Sequence, residues 1–452
     1  MALGFLASVS NAGEKDLRDE VYMKDGTVHK GRVTERYSPE ELILYTSSGQ
    51  KKLKQDRIQK VYTVRDRLQV LLSKHIPGLS ADEEWELVEL AQELKLPEMA
   101  RLQALQTVLA DPSHEKAHKL LGHKTVKAEY RWPAGKKGRQ LSLNKYEESI
   151  QEWPDRLKLE SEHYALETNT SIRQAVDLLF DLEYVYLCWM DEYGESLNAG
   201  EDVFYADLDD HKMTFHVFRT REDKGFTEQL NPKIRQAYYS PSRDVATAKG
   251  NPNLVFTYFR PNSLRAEDLF NLAVQQLMYS TLILSRKTGN LPATRYVRHS
   301  HWAEVGMGYW FGRRFTGNPG YAQPLSFYPE EGTIRLARLR VTDGPMARHY
   351  VTREITNLIG LPFSHFFEGD NIDIHHAKAC NLFRFLMEED PPVLKGNKVV
   401  GSGKDGLEYY LREVYVHATG HSSSAFDKGL SYGKTKAKVE WLQNDWVRWR
   451  NQ

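Results

Sequence analysis

The chain has 452 residues, 40% hydrophobic and 11% aromatic, and its 61 Lys+Arg balance its 61 Asp+Glu. That length and apolar content call for roughly two to four packed units and exclude wholesale disorder. Neutrality excludes a general pull toward nucleic acid or an acidic surface. Two cysteines, Cys188 and Cys380, exclude a disulfide scaffold and a thiolate-only metal cluster. No apolar run approaches the ~20 residues that a spanning helix needs.

Residues 1–12 open with the apolar stretch Ala2–Val9, followed by Ser10-Asn11-Ala12. Small residues at spaced positions fit a signal-peptidase site, and charged residues start directly after it. The segment reads as the remnant of a signal peptide, which places the protein outside the cytoplasm, periplasmic or secreted. Residues 13–64 read as five short strands with tight turns. Val21–Lys24 runs into Asp25-Gly26, a hairpin turn. Val28–Val33 follows, with Gly31 as an expected bulge, then Leu42–Tyr45, a turn at Ser47-Ser48-Gly49, and Ile58–Val64. The spacing predicts a small SH3-like or Sm-like β-barrel. The five basic residues between Lys51 and Lys60 read as a solvated edge that blocks strand addition, in preference to a binding stripe.

Residues 65–125 change period. Trp85, Val88, Ala91 and Leu94 share one helical face, and Met99, Leu102, Leu105 and Leu109 share a second. Asp111-Pro112 stops that helix, and Ala117, Leu120 and Leu121 start another. This is a tetratricopeptide-like helical spacer of about one and a half units, which must lean on a neighbour to bury its face. Residues 126–158 read as a basic linker, in which Tyr130, Trp132 and Tyr146 need partners. Basic residues interleaved with aromatics can hold single-stranded nucleic acid. With neutral flanks and no stacking sheet, no nucleic-acid partner is expected.

The largest unit starts near Leu159. His163–Thr168 alternates as a strand, and Thr170 or Ser171 can cap a helix over Ile172–Tyr193. Met213–Phe218 and Leu254–Phe259 are further strands. Helices follow at Ala266–Leu284 and Trp302–Arg314, then a helical lobe from Met346 onward. Overall the sequence predicts an α+β protein.

Ser161-Glu162-His163-Tyr164 with Glu167-Thr168-Asn169, the long helix ending near Tyr193-Gly194, and His301-Trp302 with Gly306-Met307-Gly308-Tyr309-Trp310-Phe311 occur in an order that carries a resemblance. His376-Ala377-Lys378-Ala379 with Phe385-Leu386, and Lys438-Val439-Glu440-Trp441 with Trp446-Val447-Arg448-Trp449, continue it. The second half resembles the gluzincin-type metallopeptidases, in particular the peptidase-MA-like proteins of planctomycete-type bacteria. The resemblance implies a zincin-like N-lobe over 159–320, a mixed sheet with two active-site helices, and a helical C-lobe over 321–452.

The family's chemistry needs His-Glu-x-x-His on one helix: two histidines bind zinc and the glutamate activates the metal-bound water. A glutamate on the second helix is the third ligand. In this chain Val274 and Met278 stand at the histidine positions, and Gln275 stands at the general base. An amide cannot take a proton at neutral pH. Val305 occupies the third-ligand position, with Glu304 displaced by one residue, about 100° around the helix. His376 replaces the family's later tyrosine. The resemblance therefore implies a retained fold with a lost site: a pseudo-peptidase without zinc that serves as a protein-binding or scaffold module.

One alternative keeps a metal. His299, His301 and Glu304 cluster at the start of the second helix, His301 and Glu304 share a face, and His376 could join them as a relocated zinc site of a metal-dependent hydrolase. The plainer reading makes His301 the cap and Glu304 the first-turn acid. A second alternative is a structural subunit of a larger assembly, with Trp302, Tyr309, Trp310, Phe311, Trp441, Trp446 and Trp449 as core or interface aromatics. Gly401-Ser402-Gly403-Lys404 imitates a phosphate loop, but it lacks the first glycine, carries Asp405 at the hydroxyl position, and reads as a turn in a polar loop. Cys188 and Cys380 read as buried and inert.

Overall fold

The structure, a computed structural model, describes residues 19–33, 40–46, 48–76, 78–127, 129–134, 139–194, 212–220, 254–258, 300–316, 335, 337–339, 354–361, 371–395, 398–416, 426 and 440–451. Within them the chain is mixed α+β. The apolar terminus and the helix expected at Ala266–Leu284 lie outside the described residues.

The first unit is an antiparallel sheet of β1 (Asp19–Met23), β2 (Val28–Val33), β3 (Glu41–Thr46), β4 (Gly49–Lys54) and β5 (Ile58–Tyr62), in the order β4-β3-β2-β1-β5. The β1–β2 turn forms at Asp25-Gly26. The Thr27 N–H donates to Asp25 Oδ1 at 2.9 Å, and Gly26 has φ +86°, a region open to glycine. Among the described residues β4 and β5 are unpaired edges, so the sheet is open and the expected closed barrel does not form. Gly31 is not a bulge. It stands in register with Asp19, and the shift lies at Tyr22/Met23, where β1 meets β5. Val21, Met23, Val33, Leu42, Leu44 and Leu53 form the small core. Lys51, Lys52 and Lys54 are exposed on edge strand β4, which suits a charged edge that resists further pairing.

Ion pairs join this sheet to the helices. Asp19 accepts from the N–H groups of Val33 (2.8 Å) and Val64 (2.7 Å). Glu20 accepts from Lys95 Nζ at 2.7 Å and faces Arg67 at 3.5 Å. The bond from Lys95, then that from Tyr22, holds the Glu20 carboxyl down to about 2.

Helix α1 (Val64–Leu72) opens on a capping box between Thr63 and Asp66. Helices α2 (Ala81–Glu93), α3 (Pro97–Ala110) and α4 (Glu115–Leu120) follow. Ser80 and Glu83 box the start of α2, Pro97 sits in the first turn of α3, and Asp111 ends it. The segment expected as a linker is folded. Strands β6 (Lys124–Val126), β7 (Glu129–Ala134) and β8 (Arg139–Leu141) form an antiparallel sheet, and α5 (Leu143–Ser149) packs on it. Burial of Trp132 holds it in place, with the ring set between His123 and Tyr146.

The second sheet runs β12-β11-β10-β9, from β9 (Leu157–Glu160), β10 (Tyr164–Thr168), β11 (Met213–Phe218) and β12 (Leu254–Tyr258). β10, β11 and β12 are parallel, and β9 runs antiparallel at the edge. Helix α6 (Ile172–Trp189) covers the sheet. Ser171 caps it by exchanging hydrogen bonds with Gln174, and the stripe Ala175, Leu178, Leu179, Leu182 and Val185 is buried. The later elements are α7 (His301–Thr316), α8 (Glu354–Ile359), α9 (Ile372–Arg384), the hairpin β13 (Pro392–Lys395)–β14 (Lys398–Ser402), α10 (Gly403–Leu411) and α11 (Glu440–Arg450). One continuous core runs from Leu68 to Trp446, so helices α1–α4 pack against the later unit. Gln106 of α3 donates to Asp177 of α6 at 2.6 Å across that junction. No helix among the described residues is long and apolar enough to cross a membrane.

Candidate functional site

The second active-site helix of the resemblance is α7. Its first turn starts after Ser300, whose carbonyl accepts from the N–H groups of Ala303 (2.9 Å) and Glu304 (3.0 Å). His301 is thus the first helical residue and not the cap. The Ser300 hydroxyl meets the Tyr410 hydroxyl, and Trp302 Nε1 donates to the same oxygen at 3.0 Å. The Trp302 ring also packs against Phe383 and edge-on against Phe426.

Helices α7 and α9 meet face to face. Trp302 lies near Phe383, Val305 near Cys380, and Gly306 near Ala379 and Phe383. A Cβ on Gly306 would stand 2.6 Å from Phe383 Cβ and 2.9 Å from the Ala379 carbonyl oxygen. Val305, at the family's third-ligand position, is 3% exposed, and its carbonyl accepts from Cys380 Sγ at 4.0 Å.

His301 Nδ1 lies 3.4 Å from Glu304 Oε2, and both residues are buried. His376 is half-buried on α9, one turn before Ala379. Val274, Gln275, Met278 and His299 lie outside the described residues. Among the described residues no group of three or more His, Cys, Asp or Glu side chains is placed to hold a metal ion.

The imitation phosphate loop does have a strand before it and a helix after it, contrary to the turn expected from sequence. Its anion position is filled from within. The Lys404 N–H donates to Asp390 Oδ1 at 2.8 Å, and the Asp405 N–H to Ser402 Oγ at 3.2 Å. Gly403 packs so tightly on Pro391 that a Cβ would lie 2.7 Å from its Cδ. Cys380 is buried, whereas Cys188 is only half-buried.

Three polar clusters escaped the sequence reading. His163, just before β10, places Nδ1 2.7 Å from Glu183 Oε2 of α6, and its own N–H donates to Glu183 Oε1 at 2.7 Å. Burial alone would raise the Glu183 carboxyl, but the His163 charge and hydrogen bonds outweigh it and hold it down. Within the helices, Gln103 lies between His75 and Glu84. Burial drives the His75 imidazole down to about 4 and the Glu84 carboxyl up to about 7, the latter helped by the Asp177 charge. Finally, His118 Nδ1 and His123 Nδ1 meet at 2.7 Å. For these pairs the only sequence signal is Gly122, one residue before His123; the others join segments far apart in the chain.

No family model, curated protein or solved structure matches the chain.

Proposed function

We propose that this chain is a degenerate gluzincin-type, peptidase-MA-like protein whose second half retains a zincin-like fold and binds or scaffolds a protein partner outside the cytoplasm. The observation that supports it most is the α7–α9 junction. At the position where a ligand glutamate would stand, Val305 is buried, and Gly306 closes the space beside it by helix-to-helix contact. A water-filled catalytic cleft needs room and polar groups at that point. The N-terminal sheet, a meander whose last strand returns to pair with β1, is read as an open SH3-like unit attached to this module.

Metal analysis of the purified protein, with casein and peptide cleavage assays, tests the reading. The expected result is no stoichiometric zinc and no chelator-sensitive cleavage. Stoichiometric zinc with chelator-sensitive cleavage refutes it. The buried His301–Glu304 pair favours one rival, a metal-dependent hydrolase with a relocated site that adds His299 and His376. That rival requires His301→Ala to abolish metal binding, and it fails if the wild type holds no transition metal.

A further inference from the structure

Helix α4 ends at a glycine. Gly122 has φ +72°, its N–H donates to the Lys119 carbonyl at 3.2 Å, and the His123 N–H donates to the His118 carbonyl at 2.9 Å. This pair of bonds is the left-handed termination that sets the residue after the glycine beside a residue in the last turn, a contact usually made by two apolar side chains. Here both positions are histidine. His118 is 1% exposed, and its Nε2 lies 2.9 Å from the Pro112 carbonyl oxygen. A carbonyl only accepts, so Nε2 carries the proton and Nδ1 presents a lone pair. His123 must then donate its Nδ1 proton to His118 across 2.7 Å. The neutral pair has one arrangement of protons.

The same two rings carry the sheet β6–β7–β8. Tyr130 of β7 stacks on His118, with centroids 3.8 Å apart and planes 7° apart. Trp132 of β7 lies 4.1 Å from His123 and continues to Tyr146 of α5. We infer that the His118–His123 pair is a pH-responsive latch: neutral, it holds the β6–β8 sheet and α5 against the helices, and on taking up protons it lets that layer loosen. A proton on His118 Nδ1 sets N–H against N–H and breaks the bond outright. A proton on His123 Nε2 leaves the bond in place but puts a charge into a ring stack facing Arg101 of α3. The other groups around the pair are His114, the N-cap of α4, which opposes charge on His118, Asp111 before it, which favours that charge, and the phenols of Tyr130 and Tyr146. Burial is the largest influence on both imidazoles and pushes both down, His123 to about 4.

Hydrogen exchange followed by mass spectrometry on the full chain, corrected for intrinsic rates, tests the latch. In the wild type, protection of peptides within 119–150 should fall by about tenfold or more between roughly pH 7.5 and pH 5, while α9 peptides keep theirs. The double variant His118→Phe, His123→Leu retains ring stacking on Tyr130 and restores the usual apolar contact, and should lose that pH dependence. Unchanged wild-type protection across the range overturns the proposal. So does the same loss in the double variant.

Discussion

Gly306 of α7 sits directly against Phe383 of α9, with a virtual Cβ 2.6 Å from the Phe383 Cβ. The second neighbour, the Ala379 carbonyl oxygen at 2.9 Å, is backbone, so a side chain turning aside cannot relieve the clash. In a helix interior Ala is favoured over Gly by about 1 kcal/mol. Forcing two packed helices apart costs about 1–3 kcal/mol or more. Gly306→Ala is therefore expected to destabilise by up to about 2 kcal/mol net, with a lower denaturant midpoint. An unchanged or raised midpoint would show that α7 and α9 have slack at this point.

The His75–Gln103–Glu84 cluster carries two pH dependences of opposite sign. The imidazole stacks on Phe180 at 3.9 Å, and burial lowers it from 6.5 to about 4. Below 6.5 the unfolded chain binds a proton that folded His75 refuses, so stability is whole above 6.5 and is lost as pH falls toward 4. A shift of that size corresponds to about 3 kcal/mol. Glu84 is the reverse. Its carboxyl rises from 4.5 to about 7, first through burial and then through Asp177. Its contribution is whole below 4.5 and is lost as pH rises through 7. Urea midpoints across this range should separate the two. His75→Phe should gain on the wild type as pH falls from 6.5 to 4, and Glu84→Gln should gain as pH rises from 5 to 8. Variants whose advantage does not change with pH would show that these groups titrate normally.

What the sequence made legible was local. Val28–Val33, which follows the Asp25-Gly26 turn, and the alternating Met213–Phe218 are strands over those residues, and Ser171 with Gln174 three residues later marks the start of α6. Strand β4 was harder to see. Gln50, Lys51, Lys52 and Lys54 leave only Leu53 apolar, and its pairing with β3 holds it in the sheet. Helix α1 hid because Asp66 completes the capping box in place of the usual Glu or Gln, and β13–β14 because that hairpin is short and rich in Lys and Gly. The candidate site divided the same way. His301 and Glu304, three apart on one helix, do meet, whereas the packing of α9 on α7 at Gly306 is a long-range fact that spacing cannot carry. His163 with Glu183 and His75 with Glu84 are likewise joined only by tertiary packing.

Glu354 of α8 binds two cations from two other helices. Oε1 lies 2.7 Å from Lys378 Nζ of α9, and Oε2 lies 2.9 Å from Arg450 of α11. Lys378 is fully buried, and the Arg450 guanidinium also lies 4.6 Å over the Trp446 ring, while Arg338 donates to the Arg450 carbonyl at 2.7 Å. The carboxylate is the common element, so the three positions are not equivalent. Glu354→Gln keeps the shape but leaves two buried cations facing each other, an arrangement that costs about 3–5 kcal/mol. Lys378→Met removes one cation, fills most of its volume, and leaves Glu354 paired with Arg450, so a loss of about 1–2 kcal/mol is expected. Because α11 is tied to α8 through Glu354, Glu354→Gln should also speed proteolytic removal of residues 440–451 far more than Lys378→Met does. If Lys378→Met proves equally or more damaging in midpoint and proteolysis, the clamp is centred on the lysine and not on the carboxylate.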